Sequence, residues 1–256
     1  ETAKKLIFLV KTRLFKNSFY TGISLVFIGL TPFIFNFLVA RFFGSKILGE
    51  INVTINFCLL ITIFITNFFG SAGNKFLAEY RGRKNQINFI YTLRIIFLGS
   101  IISLVIVAIS LLFLWNYITI KFSLSENLFF PVIIYIFLRT TYIILRRILY
   151  GMDLVKEYSQ NEIFSAIVMF ASTFYICNYH LPKFLIHTYL VSYLFFFVLG
   201  VNTLLRNFGQ IIKPMNKTNN FSKKNVLRKF SVYGLVSMIG TVASTGTGYL
   251  SIIITG

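Results

Sequence analysis

Long apolar runs separated by short polar connections make up nearly all of the chain. Seven runs, at residues 19–40, 51–69, 89–115, 128–145, 163–179, 184–205 and 230–254, reach the roughly 20 apolar residues that a helix needs to cross a bilayer. An unsatisfied peptide group in hydrocarbon is costly enough that such runs must pair their own backbone, so each is predicted to be a helix. The connections are short except for 206–229, which is also strongly basic.

The composition sharpens this picture. Apolar residues make up 56% of the chain, charged residues 12%, and the mean hydropathy is +0.77. A soluble domain carries charge on about a quarter of its residues, so lipid is the expected solvent. The net charge of +18 points away from nucleic acid, because the basic residues flank apolar runs and do not gather on one solvated face. Assigned to alternate sides of a membrane, 19 of the 25 Lys and Arg fall with the amino terminus and four opposite, with Arg94 and Arg139 inside runs. The positive-inside rule then places the amino terminus in the cytoplasm and the protein in the plasma membrane as a multi-pass chain. Residues 1–17, basic and interspersed with Leu6, Phe8, Leu14 and Phe15, are expected to lie along the cytoplasmic interface.

Cofactor and metal chemistry have no visible basis. Cys58 and Cys177 sit in separate apolar runs without His, Cys or carboxylate neighbours, and read as small hydrophobes. No catalytic residue is expected either. The longest outer connection, about residues 116–127, carries only Lys121 and Glu126, too little for the catalytic loop of an integral-membrane glycan polymerase or transferase.

The chain also echoes itself. The first run opens with a basic residue, Ser18, Tyr20 and Gly22, and the seventh with a basic residue, Ser231, Tyr233 and Gly234. From the first opening to the second the chain makes six runs and a basic linker, the pattern of a parallel repeat of six-helix lobes. The organisation expected is an amphipathic amino-terminal segment at 1–17, a six-helix transmembrane lobe at 18–205, a cytoplasmic linker at 206–229, and at 230–256 the first helix of a second lobe. On that reading the chain is the first part of a longer protein, and its partner is the remaining carboxy-terminal half.

Three stretches resemble a known family. Ala40-Arg41-Phe42-Phe43-Gly44-Ser45-Lys46-Ile47-Leu48-Gly49-Glu50 is similar to the first external loop of polysaccharide-biosynthesis flippases of the multidrug/oligosaccharidyl-lipid/polysaccharide exporter superfamily. Phe69-Gly70-Ser71-Ala72-Gly73-Asn74-Lys75-Phe76-Leu77-Ala78-Glu79-Tyr80-Arg81-Gly82 resembles the family's exit into its first cytoplasmic loop, and Leu149-Tyr150-Gly151-Met152 fits the approach to its fifth span. The resemblance implies an all-α fold of two six-helix lobes facing a central cavity, of which this chain would be the first half. It also implies outward transport of a lipid-linked oligosaccharide, with no bond broken and no cofactor.

Such a cargo asks for cationic donors at depth and for aromatic and amide faces. At about 100° per residue, Tyr135, Arg139, Tyr142 and Arg146 fall within about 60° of one another on the fourth run. Arg139 is near its middle, where an arginine costs roughly 2.5–3.5 kcal/mol on insertion scales and should face protein or water. Guanidinium forks suit phosphate, and rings suit sugar. On the second run Asn52, Asn56, Asn67, Gly70 and Asn74 share a face by the same arithmetic, with Asn56 and Asn67 as candidate hydroxyl-binding amides; interhelical hydrogen bonding explains that line equally well. Arg94, about a turn inside the third run, is a further candidate cation. No carboxylate lies deep in a run, so the driving ion stays open. A drug or small-molecule exporter of the same superfamily is the alternative, less favoured because the deep charge is positive.

Overall fold

The computed structural model describes residues 13–122, 128–213, 215, 222–249 and 251. Every element among them is helical. In order they are α1 (Arg13–Ile65), a π-helical turn (Thr66–Ser71), α2 (Ala72–Gly82), α3 (Gln86–Phe122), α4 (Phe129–Gly151), α5 (Val155–Asn178), a short 3-10 turn (Pro182–Phe184), α6 (Leu185–Ile212), α7 (Lys223–Thr241) and a second π turn (Val242–Gly246). Most of the amino-terminal segment and the centre of the linker, expected above to be interfacial and cytoplasmic, lie outside the described residues.

The first two predicted runs form one continuous but folded element. At Gly44 the backbone takes φ 83° and ψ 172°, a region essentially reserved for glycine. Asn17, near the start of α1, donates to Asp153 Oδ1 at 2.9 Å, and Arg81, near the end of α2, lies 3.3 Å from Asp153 Oδ2. Laid straight, that stretch would separate the two residues by about 95 Å at 1.5 Å per residue. Meeting at one aspartate, they show that the chain doubles back at Gly44.

Five helices among the described residues are long and apolar enough to cross a membrane: Phe15–Gly82, Gln86–Lys121, Phe129–Gly151, Pro182–Ile212 and Lys223–Tyr249. α5 is not among them although it has 24 residues. Its first half carries Lys156, Glu157, Gln160, Asn161 and Glu162, which lowers its hydropathy without shortening it. The chain is therefore a multi-pass helical membrane protein whose seven apolar runs are distributed over five strongly apolar helices, the first of them folded, and one more polar helix.

The exterior is apolar, as the core is. Large apolar side chains face outward, among them Phe113 at 84% and Ile120 at 83% exposed on α3, where lipid tails are the expected neighbours. Several small polar groups are buried and return their hydrogen bonds to their own helix, as Thr54 does to Glu50 O, Thr62 to Leu59 O and Thr92 to Asn88 O. That satisfies them where water is absent.

α4 runs through the middle of the bundle, packed against α6, α2 and the π turn. α7 docks on the π turn through Phe230, 1% exposed, whose ring lies near those of Phe68, Phe69 and Phe76 at 6.1–6.4 Å. Gly234 makes this approach possible, since a Cβ there would stand 2.9 Å from the Phe68 carbonyl oxygen.

A candidate functional site: the central cavity and its arginine

A cavity of about 430 Å³ opens between the two arms of α1, α4, α5 and α6, with Tyr249 reaching it from beyond α7. Thr31 and Asn36 come from the first arm of α1, Asn52 and Asn56 from the second, Tyr135, Arg139 and Tyr142 from α4, Glu162 and Ser165 from α5, and Tyr189, Ser192 and Tyr193 from α6. The wall between α5 and α6 is held by a reciprocal pair. Ser165 Oγ donates to Ser192 O at 2.8 Å, and Ser192 Oγ donates to Ser165 O at 3.0 Å.

Arg139 is set among tyrosines. Its Nη1 donates to Tyr193 Oη at 2.8 Å, and its guanidinium carbon lies 5.3 Å from the Tyr142 ring centre and 5.2 Å from that of Tyr193. Those distances are within cation–π range, an attraction that strengthens where water is excluded. Tyr142 and Tyr193 stack at 4.9 Å, and Tyr135 lies edge-on to Tyr193 at 5.7 Å. Among the described residues Arg139 has no ion-pair partner, and its buried Nε has no hydrogen-bond acceptor. A buried donor left unmade costs about 1–3 kcal/mol, so an anion or carbonyl entering here would relieve an existing deficit.

Glu162 marks the opposite situation. Only 4% exposed, it accepts from Tyr142 Oη at 2.5 Å and lies 3.6 Å from Arg146 Nη1. Arg146 in turn stands over the Tyr158 ring at 5.8 Å, and Tyr158 Oη accepts from Ser24 Oγ at 3.2 Å. One carboxylate thus neutralises Arg146 and anchors Tyr142, leaving Arg139 as the cation available to the cavity.

The residues proposed from the sequence separate into two groups. Tyr135, Arg139, Tyr142 and Asn56 line the cavity. Arg146, expected on the same stripe, does not, because Glu162 from α5 draws it aside. Asn67 is also off the cavity. It accepts from Arg147 Nη2 at 2.8 Å, and Arg147 Nη1 further donates to Thr66 O at 3.1 Å and to Ser71 Oγ. Asn67 lies about 16 Å along the helix from Asn56, at the start of the π turn Thr66–Ser71, where it meets Arg147 and not the cavity. Arg94 is exposed on the outer side of α3, away from the cavity.

From the sequence Glu162 reads as lying near the end of its run and not deep, whereas it is 4% exposed and lines the cavity; Arg147 reads only as a cytoplasmic anchor, and Tyr189, Tyr193 and Tyr249 are not singled out. Tyr189 and Tyr193 were detectable, since a four-residue spacing puts them on one face of α6. Glu162 sits at the edge of its apolar run, where linear position disguises depth. Nothing in the linear pattern marks Tyr249. The buried Cys58 and Cys177 are free thiols, and no group of His, Cys, Asp or Glu able to hold a metal occurs among the described residues. No protein-family model, curated protein or solved structure matches the chain.

Proposed function

We propose that the chain belongs to a transporter that carries a lipid-linked oligosaccharide across the plasma membrane for cell-surface glycan assembly. The observation that carries this reading is Arg139: an arginine with no carboxylate partner among the described residues, held among tyrosines in a cavity whose apolar walls also carry amide and hydroxyl groups. A guanidinium fork suits the phosphate of a lipid pyrophosphate, and the rings of Tyr135, Tyr142, Tyr189 and Tyr193 offer faces for sugar. Asn36, Asn56 and Ser192 add short polar groups for hydroxyls. Transport of this kind breaks no bond and calls for no catalytic residue.

In this reading the two arms of α1 make the first two crossings, α3 to α6 complete a six-helix lobe, and α7 begins a second lobe. The amino terminus, the α2–α3 turn and the α4–α5 turn lie on the cytoplasmic side, as the basic residues favour. The test is Arg139→Ala in the complete gene product in its own cell. Surface glycan should be lost while the protein inserts and accumulates normally; normal glycan display with that variant would remove the assignment.

Export of a small cationic molecule is the second reading, favoured by one observation, the presence of Glu162 on the same cavity wall. Its Oε1 already serves Tyr142 and Arg146, which ranks this reading below the first. Efflux of a cationic dye that depends on Glu162 and not on Arg139 would reverse the order.

A further inference from the structure

A second cationic pocket lies toward the end of α4 where Arg81 and Asn17 meet Asp153. It has a volume of about 620 Å³ and is walled by α2, α4 and α7, through Ser71 beside α2, Asn74, Lys75, Arg147, Tyr233 and Ser237. Lys75 Nζ stands 4.0 Å above the centre of the Tyr233 ring. Arg147 is fixed by Thr66 O, Asn67 and Ser71. Neither cation pairs with a carboxylate among the described residues.

Three other cations at this end have acidic partners: Arg81 has Asp153, Arg83 has Glu79 and Arg146 has Glu162. Of the helices that wall the pocket, only α2 carries an acid, Glu79, and it is taken by Arg83 at 3.0 Å. The Asn74 amide and the Ser237 hydroxyl have no hydrogen-bond partner among the described residues, although both line the pocket. Two positive charges, an unengaged amide and an unengaged hydroxyl therefore converge on one space with nothing negative in it. Phosphate oxygens are strong acceptors that such donors match, and an exposed lysine held by the Tyr233 and Phe76 rings, at about 0.5–1 kcal/mol each, can turn to them at small cost.

We propose that this pocket is a second anion site, taking a phosphate or pyrophosphate group through Lys75, Asn74 and Ser237, beside the fixed positive charge of Arg147. Arg139 lies eight residues from Arg147 on the same helix, about 12 Å along its axis. The two positions form successive stations, the one at the end of α4 receiving the anion before it reaches the cavity. The role as a station rests on the flippase reading; the anion site itself does not. A lipid headgroup and a free phosphate compound present the same chemistry here, so the source is a matter for experiment.

The complete protein, purified in detergent, is titrated calorimetrically with inorganic pyrophosphate as wild type, Lys75→Gln, Arg139→Ala and the double variant. Two binding events are expected in the wild type. Lys75→Gln should weaken one by on the order of tenfold or more, the loss expected for one charge-assisted hydrogen bond. Arg139→Ala should remove the other, and the double variant should show neither. Lys75 is exposed, so its substitution leaves the fold intact. Unchanged binding in Lys75→Gln, or complete loss in Arg139→Ala alone, overturns the second site. The titration is then repeated in phosphatidylcholine nanodiscs with and without phosphatidic acid. If phosphatidic acid abolishes the Lys75-dependent event, the site is upheld with a lipid headgroup as occupant; if the event persists, it is upheld for a soluble phosphate. Loss of glycan display is read separately, so the pyrophosphate site can stand even if the flippase reading falls.

Discussion

The middle of α4 and its end use the same side chain for opposite purposes. Arg139 opens onto the cavity with one hydrogen bond to protein, from Nη1 to Tyr193, and an orphaned Nε. Within two turns, Arg146 is paired with Glu162, and Arg147 is committed to the π turn through Thr66, Asn67 and Ser71. The difference lies in the neighbours. Where a carboxylate or an exposed carbonyl is within reach, an arginine becomes part of the structure; where only rings and hydroxyls surround it, its donors remain for a ligand.

Substitutions can break this contrast or sharpen it. Arg139→Ala should have the largest effect on function, complete loss of transport, with a melting temperature equal to or above the wild type, because it removes an orphaned buried donor. A large fall in melting temperature would make Arg139 structural after all. Arg147→Ala should behave in the opposite way, destabilising by about 3 kcal/mol because it leaves the Thr66 carbonyl and the Asn67 amide without their donors, as read by thermal unfolding in detergent. Glu162→Ala should cost less, about 2 kcal/mol, because Arg146 is left without its partner but is partly exposed and can reach water; Arg146→Met added to it should recover part of the loss. Gly44→Ala comes next, at about 1 kcal/mol, since a side chain must adopt a backbone conformation that suits glycine. Arg94→Gln should be neutral to within about 0.5 kcal/mol in stability and leave transport unchanged. A transport defect there would place a functional surface on the outer side of α3.

Reading the helices from apolar runs alone succeeded to the extent that hydropathy controls them. The run at 89–115 lies within α3, and those at 128–145 and 184–205 match α4 and α6 to within one residue at the start; all three helices run several residues further at their carboxy ends, because a helix continues past the hydrocarbon as long as its backbone can pair. The run at 163–179 is only the apolar half of α5, and the polar first half that carries Glu162 looked like connection. Tyr135, Arg139 and Tyr142 could be aligned because α4 keeps a regular period through them. The amide line of the second run could not be followed to Asn67, since nothing in Thr66-Asn67-Phe68-Phe69-Gly70-Ser71 announces its meeting with Arg147. Arg94 and Arg139 look alike as cations inside apolar runs; one faces outward and the other a cavity, and only the packing of α3 and α4 separates them.

The sequence by itself determined that this is a helical membrane protein, because the cost of unpaired peptide groups in lipid leaves long apolar runs few alternatives. It also determined that an arginine lies deep within one of those helices. Tertiary structure decided what that arginine is for. Three arginines on one helix have the same chemistry and nearly the same local sequence, and their fates diverge through Glu162 on α5, the π turn after α1 and the tyrosines of α6. Those neighbours are distant in the chain, and electrostatics and hydrogen bonding act over a few ångströms of space whatever the separation in sequence.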